Sequence, residues 1–165
     1  MVRRVPCFIV GERPKTKRTY FSNDVWNTIK DSLIFDCISI LIVSPDGKEI
    51  LLGKRAVEPY KGEWCFPGGG IDAFELPHEA CSREIREELG LDINIERFDW
   101  LGFSYMSVFV GNKEGGNETR HDTIWPHKLV LQESEMLDFD KTKFNEEFEC
   151  LAKFSLVDIL NGDFP

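Results

Sequence analysis

Phe35 to Val43, FDCISILIV, is apolar and β-branched over most of its length, and the polar turn SPDG divides it from a second apolar run in EILLGKR. Two such runs across a Pro/Asp/Gly turn predict a β-hairpin. The polar loop AVEPYKGE then leads to a short strand, WCF, and to PGGG. Beyond it the period changes. Cys81, Ile85 and Leu89 recur every four residues, Pro77 suits a first helical turn and Gly90 a left-handed stop, so a helix is expected from about Pro77 to Leu89. Further along, INIERFDWLGFSYMSVFV predicts one or two strands, GNKEGGNETRHDT a mobile surface loop, and WPHKLVLQ and CLAKF more strands. A last short helix is expected to open at Ser155, with Asp158 three residues on as in a capping box. Upstream, SNDVWNTIKDSLI places Val25, Ile29 and Leu33 on one helical stripe behind Ser22 or Asn23. Residues 1–33 therefore read as an arm carrying a short helix, and 34–165 as one α+β domain of helices among hairpin-linked strands.

Composition narrows the function classes. At 165 residues with 42% hydrophobic content the chain can bury one core without disulfides or structural metal. No apolar run approaches the roughly 20 residues of a membrane helix, and Pro14 with flanking Lys/Arg breaks any leader-like patch near the start. Cys7, Cys37, Cys65, Cys81 and Cys150 are scattered without a CxxC pair, as expected of reduced thiols in a cytoplasmic protein. A formal net charge of −9 opposes a broad nucleic-acid footprint, so nucleic acid is an unexpected partner. Phosphate ligands stay open, because a divalent ion can bridge acidic side chains to an acidic substrate.

The expected helix raises an electrostatic question. Glu84, Glu87 and Glu88 fall on an arc beside the buried Cys81/Ile85/Leu89 stripe, where like charges three and four apart repel. Two readings compete: a solvated helix in which Arg83 pairs with Glu87, or a cation site, since hard divalent ions take oxygen ligands and reverse the repulsion.

The wider pattern favours the second. From Gly69, five residues lead to Glu75 and seven more to Arg83, followed by Glu84, Ile85, Glu87, Glu88, Gly90 and Leu91. This 23-residue spacing resembles the signature of the Nudix hydrolases at every fixed position, and likeness extends over roughly residues 35–160. The resemblance implies an αβα sandwich around a mixed sheet, and hydrolysis of a nucleoside diphosphate linked to another group X with Mg²⁺ or Mn²⁺. It also implies metal ligation by Glu84, Glu87, Glu88 and the Gly69 carbonyl, with Glu75 and Arg83 bracing the loop on the helix. Gly68 and Gly70 would let backbone approach the phosphates, and Arg55 could grip one of them.

Relatives often supply a late-loop glutamate as ligand or base; of Glu146, Glu147 and Glu149, Glu147 is the first choice. His121 and His127 are alternative bases, and Trp64, Phe66, Tyr105 and Trp125 could stack on a nucleobase. LLGKRAVEPYKGEWCFPGGG also resembles the GDP-mannose branch, but that branch carries an altered box and a late-loop histidine, and residues 144–150 contain none. A complete box implies attack at phosphorus, with a nucleotide sugar the expected substrate. ADP-ribose, dinucleoside polyphosphates, oxidised nucleoside triphosphates and capped RNA are alternatives, the acidic balance lowering RNA, as is a non-catalytic nucleotide sensor. The N-terminal arm is a candidate homodimer element.

Overall fold

The computed structural model describes residues 2–16, 18–58, 60–113, 116–136 and 146–163. In chain order the elements are α1 (Asn23–Ser32), β1 (Phe35–Val43), β2 (Glu49–Arg55), β3 (Trp64–Cys65), α2 (Pro77–Leu89), β4 (Asp99–Trp100), β5 (Tyr105–Lys113), β6 (Gly116–Val130), β7 (Phe148–Ser155) and α3 (Leu156–Asn161). The strands form one mixed sheet. Its path is β3-β2-β1-β6-β4, with β5 also paired to β6 and β7 to β2. The β1–β6 pairing is parallel, from Phe35 opposite Asp122 to Val43 opposite Val130, and the other pairings are antiparallel.

Period-two alternation decides which side chains face which layer. Ile38, Ile40 and Ile42 of β1 meet Ala80, Cys81, Ile85 and Leu89 of α2, together with Phe98 and Leu129. On the opposite face Val43, Ile50 and Leu52 pack with Trp64, Phe154 and the α3 residues Leu156 and Ile159. The sheet is thus covered on both faces, the αβα sandwich expected. Its first hairpin, the α2 boundaries and the αL conformation of Gly90 agree with the sequence reading. Ser155 caps α3, its hydroxyl accepting from the Asp158 amide.

Two expectations fail. GNKEGGNETRHDT is not a surface loop: its described residues form the β5–β6 hairpin, paired from Tyr105–Ile124 out to Lys113–Gly116. Backbone ladder bonds hold this stretch, and they leave no hydrophobic alternation to read. The other is α1, which exists but buries no residue fully; Val25 stays exposed and Leu33 lies outside as its C-cap. Trp26, off the expected stripe, makes the ring contact to Phe35 at 5.2 Å. Cys37 and Cys81 are buried, Cys65 is half-buried, and Cys7 and Cys150 are exposed. No helix among the described residues is long and apolar enough to cross a membrane.

Candidate active site

The PGGG loop completes the sheet where β2 diverges from β1. Ile40 donates to the Pro67 carbonyl and Ile38 to the Gly69 carbonyl, both at 2.8 Å, and Ile71 donates back to Asp36 at 2.9 Å. Glycine is required at position 68, where φ is +148° and a Cβ would lie 2.3 Å from the Ile38 carbonyl oxygen. The same approach presses the loop against α2: a Cβ on Gly69 would meet Glu84 Oε1 at 2.4 Å, and the Gly68 amide donates to Glu88 Oε2 at 3.0 Å.

Arg83 ties loop to helix. Its guanidinium donates to both oxygens of Glu75 at 2.9 Å, to the Gly70 carbonyl at 2.7 Å and to Glu84 Oε1 at 2.5 Å. Five donors in a planar fork satisfy three different partners at once. Glu75 Oε2 also accepts from the Asp72 amide, so the loop is braced through one buried carboxylate. Carboxylate hydrogen bonds raise the Arg83 pKa further despite the opposing effect of burial.

The three glutamates have different surroundings. Glu88 is 1% exposed; burial above all, then the nearby Glu84 and Glu147 charges, pushes its pKa up to about 9. Its Oε1 has no hydrogen-bond partner among the described residues. Burial also raises the Glu84 pKa, with Arg83 opposing it. Glu87 is more exposed and is held by Arg18 of the N-terminal arm, whose Nη1 lies 3.0 Å from both carboxylate oxygens. Arg83 is 3.6 Å from Glu87 on the other side. Much of the repulsion expected from the sequence is therefore balanced by Arg83 and Arg18, and Glu88 takes up the rest by favouring its protonated form.

Among the described residues no three His, Cys, Asp or Glu side chains converge as a ready-made metal cage. The donor set nonetheless suits a hard divalent ion: every candidate ligand is oxygen, and Glu88 Oε1 is a buried acceptor lacking a partner. Glu84 and Glu87 are instead ion-paired to cations of the chain itself, Arg83 and Arg18.

A cavity of about 470 Å³ opens over these groups, of a size typical for small-molecule sites. Glu84, Glu87, Gly68, Gly69, Gly70, Arg55 and Glu147 line it, and Glu88 sits beneath, bonded to Gly68. Arg55 pairs with Glu147 at 3.2 Å. Trp64, Phe66 and Tyr105 are also on its walls, but Trp125 instead bonds Asp36 and contacts Trp100. His121 and His127 are not among the lining residues; His127 is fully buried with Nδ1 at the Trp125 carbonyl, its pKa lowered chiefly by burial. Glu146 and Glu149 are exposed and away from the wall.

The family model described as the NUDIX domain matches residues 35–153. The chain belongs to the NUDIX family. The RNA pyrophosphohydrolase of Gluconacetobacter diazotrophicus is 34% identical over 97 residues, covering 53% of this chain and 58% of that protein. That of Helicobacter pylori is 34% identical over 141 residues, covering 78% of this chain and 82% of that protein. The match thus spans little more than half the length of the first relative and most of the second. The MutT protein of Methanosarcina mazei Go1 superposes with a TM-score of 0.54 at 20% identity, over 78% of this chain and 81% of that one, a likeness of fold alone. Both relatives bear the name RNA pyrophosphohydrolase, and neither name points to GDP-mannose or another nucleotide sugar.

Several wall residues of this Nudix domain were not singled out from sequence. Arg120, on β6, donates to Asp122 at 2.8 Å and to Cys37 Sγ at 3.4 Å, and burial pushes the Cys37 thiol up to about 11. Tyr60 bonds Ser107 at 2.8 Å and meets Phe109 edge-on. Arg18 comes from the arm. A strand reading of residues 116–123 would have alternated Arg120 and Asp122 onto one face; nothing in the sequence pairs Arg18 with Glu87.

Proposed function

We propose that this chain is a divalent-cation-dependent pyrophosphohydrolase acting on a nucleotide whose diphosphate is linked to a further group. The observation that carries this is the buried Glu88 carboxyl with its unpartnered Oε1, set below a glycine loop and beside Glu84 in a cavity with arginines on its wall. Glu84, Glu87, Glu88 and the Gly69 carbonyl would hold Mg²⁺ or Mn²⁺. Such an ion makes bound water more acidic and neutralises charge on the departing phosphate. Arg55 orients a phosphate by bidentate hydrogen bonding to two of its non-bridging oxygens. Glu147 accepts the proton of the attacking water, whose oxygen bonds phosphorus as the bridging P–O bond breaks; the products are a nucleoside monophosphate and phosphorylated X. Gly68 and Gly70 keep the loop narrow enough for backbone to reach the phosphates. Tyr105 and Phe66 offer ring faces to the base.

The cavity volume suits one nucleotide with its phosphates, and a small nucleotide derivative such as a nucleotide sugar is the first substrate class. The relatives' name supports a second: a 5′-phosphorylated RNA end, whose first nucleotide would enter the same cavity while the rest stays outside. One panel separates them. Nucleotide sugars, ADP-ribose, nucleoside triphosphates, dinucleoside polyphosphates and 5′-triphosphorylated RNA are incubated with Mg²⁺ or EDTA in ¹⁸O-water. Cation-dependent formation of a 5′-monophosphate, on free nucleotide or on RNA with release of pyrophosphate, and ¹⁸O in a phosphate product supports hydrolysis at phosphorus, and turnover of RNA alone selects the second class. Binding without turnover of any substrate overturns the enzyme reading in favour of a sensor.

A further inference from the structure

We infer that Arg18, supplied by the N-terminal arm, is a substrate-phosphate-binding residue that Glu87 holds at the site until a divalent cation takes that carboxylate. The inference rests on the pyrophosphohydrolase reading, and the arm lies outside the residues matched to the NUDIX family.

The arm is fastened to the domain along its length by basic residues, which a strongly acidic protein attracts. The Arg3 amide donates to Asp99 at 2.7 Å, and the Arg3 carbonyl accepts from Trp100 at 3.1 Å. Arg4 reaches Glu96 at 2.8 Å and the carbonyls of Ile95 and Phe98. Arg13 grips Glu79 through two nitrogens at 2.6 and 2.7 Å and donates to the Phe74 carbonyl at 3.1 Å. Glu79 stands at the start of α2 and Glu87 near its end, about 12 Å apart along the axis at 1.5 Å per residue. Five extended residues cover up to about 17 Å. Anchored by Arg13, the arm therefore places Arg18 over Glu87 with slack to spare.

The contact itself is incomplete. Nη1 alone carries the hydrogen bonds of Arg18 among the described residues, shared between the two Glu87 oxygens, while the guanidinium lies 5.9 Å from the Tyr20 ring centroid. Nε and Nη2 form the edge of the guanidinium that matches two phosphate oxygens. Arg18 and Glu87 both line the cavity that a diphosphate would enter. A divalent ion on Glu87 competes with Arg18 for the same carboxylate. Once displaced, the guanidinium is still tethered by Arg13 beside the incoming phosphates, an arginine delivered in cis.

The test compares wild type with Arg18→Ala and Arg18→Lys. Mn²⁺ affinity is read by electron paramagnetic resonance without nucleotide, and inorganic pyrophosphate affinity by calorimetry at saturating Mg²⁺. Arg18→Ala is expected to bind Mn²⁺ about threefold tighter, the scale of a half-exposed ion pair, and pyrophosphate about tenfold more weakly, as a charge-assisted contact is lost. Arg18→Lys should return Mn²⁺ affinity to wild type while pyrophosphate binding stays weakened, because the charge remains and the fork does not. Unchanged or weaker Mn²⁺ binding by Arg18→Ala, or unchanged pyrophosphate binding, overturns the inference. A wild type that takes up no Mn²⁺ instead refutes the pyrophosphohydrolase reading beneath it. Arg18 lies outside the core, and circular dichroism confirms folding of each variant.

Discussion

Replacing Glu88 by glutamine tests the buried carboxyl directly. In the cation-free protein, burial raises the Glu88 pKa from its ordinary 4.5 to about 9. Between those values the folded chain keeps a proton that the unfolded chain releases, so this group's stability contribution is complete below pH 4.5 and is lost as pH rises through 9. The slope is at most about 1.4 kcal/mol per pH unit. Glutamine reproduces the protonated carboxyl: one oxygen for the Gly68 amide and a neutral donor on the other side. Urea denaturation in EDTA from pH 6 to 9 should show wild type losing stability on the alkaline side relative to Glu88→Gln, with the two closest at the acid end. Divalent cations must expel the proton. At pH 7, below the native pKa, that expulsion costs binding energy, so Mn²⁺ affinity should climb by up to roughly tenfold per pH unit toward 9 in wild type. Glu88→Gln should lack that climb and bind Mn²⁺ weakly throughout. Parallel stability curves for the two proteins would show that Glu88 is not held protonated and would refute the reasoning.

Other substitutions probe the supports of the site. Arg83→Ala leaves the buried Glu75 and Glu84 without their shared cation; a loss of about 3 kcal/mol or more is expected by denaturant titration, and Arg83→Lys should recover only part of it, because one ammonium cannot span Glu75, Gly70 and Glu84. Gly68→Ala drives a Cβ into the Ile38 carbonyl, and strain of about 3 kcal/mol should lower the melting temperature and weaken Mn²⁺ binding together. His127 has a lowered pKa, so its contribution is present in full above its ordinary 6.5 and is lost as pH falls through the lower native value. His127→Gln should therefore flatten the decline in melting temperature between pH 6.5 and 5, and an unchanged decline would assign it to other groups.

How much could be read in advance depended on where the information sits. The α2 stripe, its proline start and its glycine stop are local features, and the structure reproduces them to the residue. The spacing from Gly69 to Leu91 was equally legible, since loop and helix are contiguous and Arg83 closes the arrangement within 13 residues. The cavity's far wall was not. Arg120 and Asp122 reach it only because a polar, glycine-containing segment folds as a strand, held by a partner rather than by its own pattern. Arg18 meets Glu87 across 69 residues of sequence, through anchors that look from the sequence like scattered surface charges. The sequence points to an external cation for the acidic cluster; the fold sets arginines of the chain against Glu84 and Glu87, so an outside ion displaces existing partners there and meets an unpartnered oxygen at Glu88.

The glycine segment that contacts the carboxylates is also a rung of the central sheet, taking the hydrogen bonds of Ile38 and Ile40 that a neighbouring strand would otherwise receive. Its freedom is thereby limited: a shift that reshaped the floor would unzip the inner edge of β1, at the cost of the main hydrophobic layer. Changes in substrate range are therefore easier to reach through the hairpin, the Tyr60 bend and the arm, which can be rebuilt while the floor stays rigid.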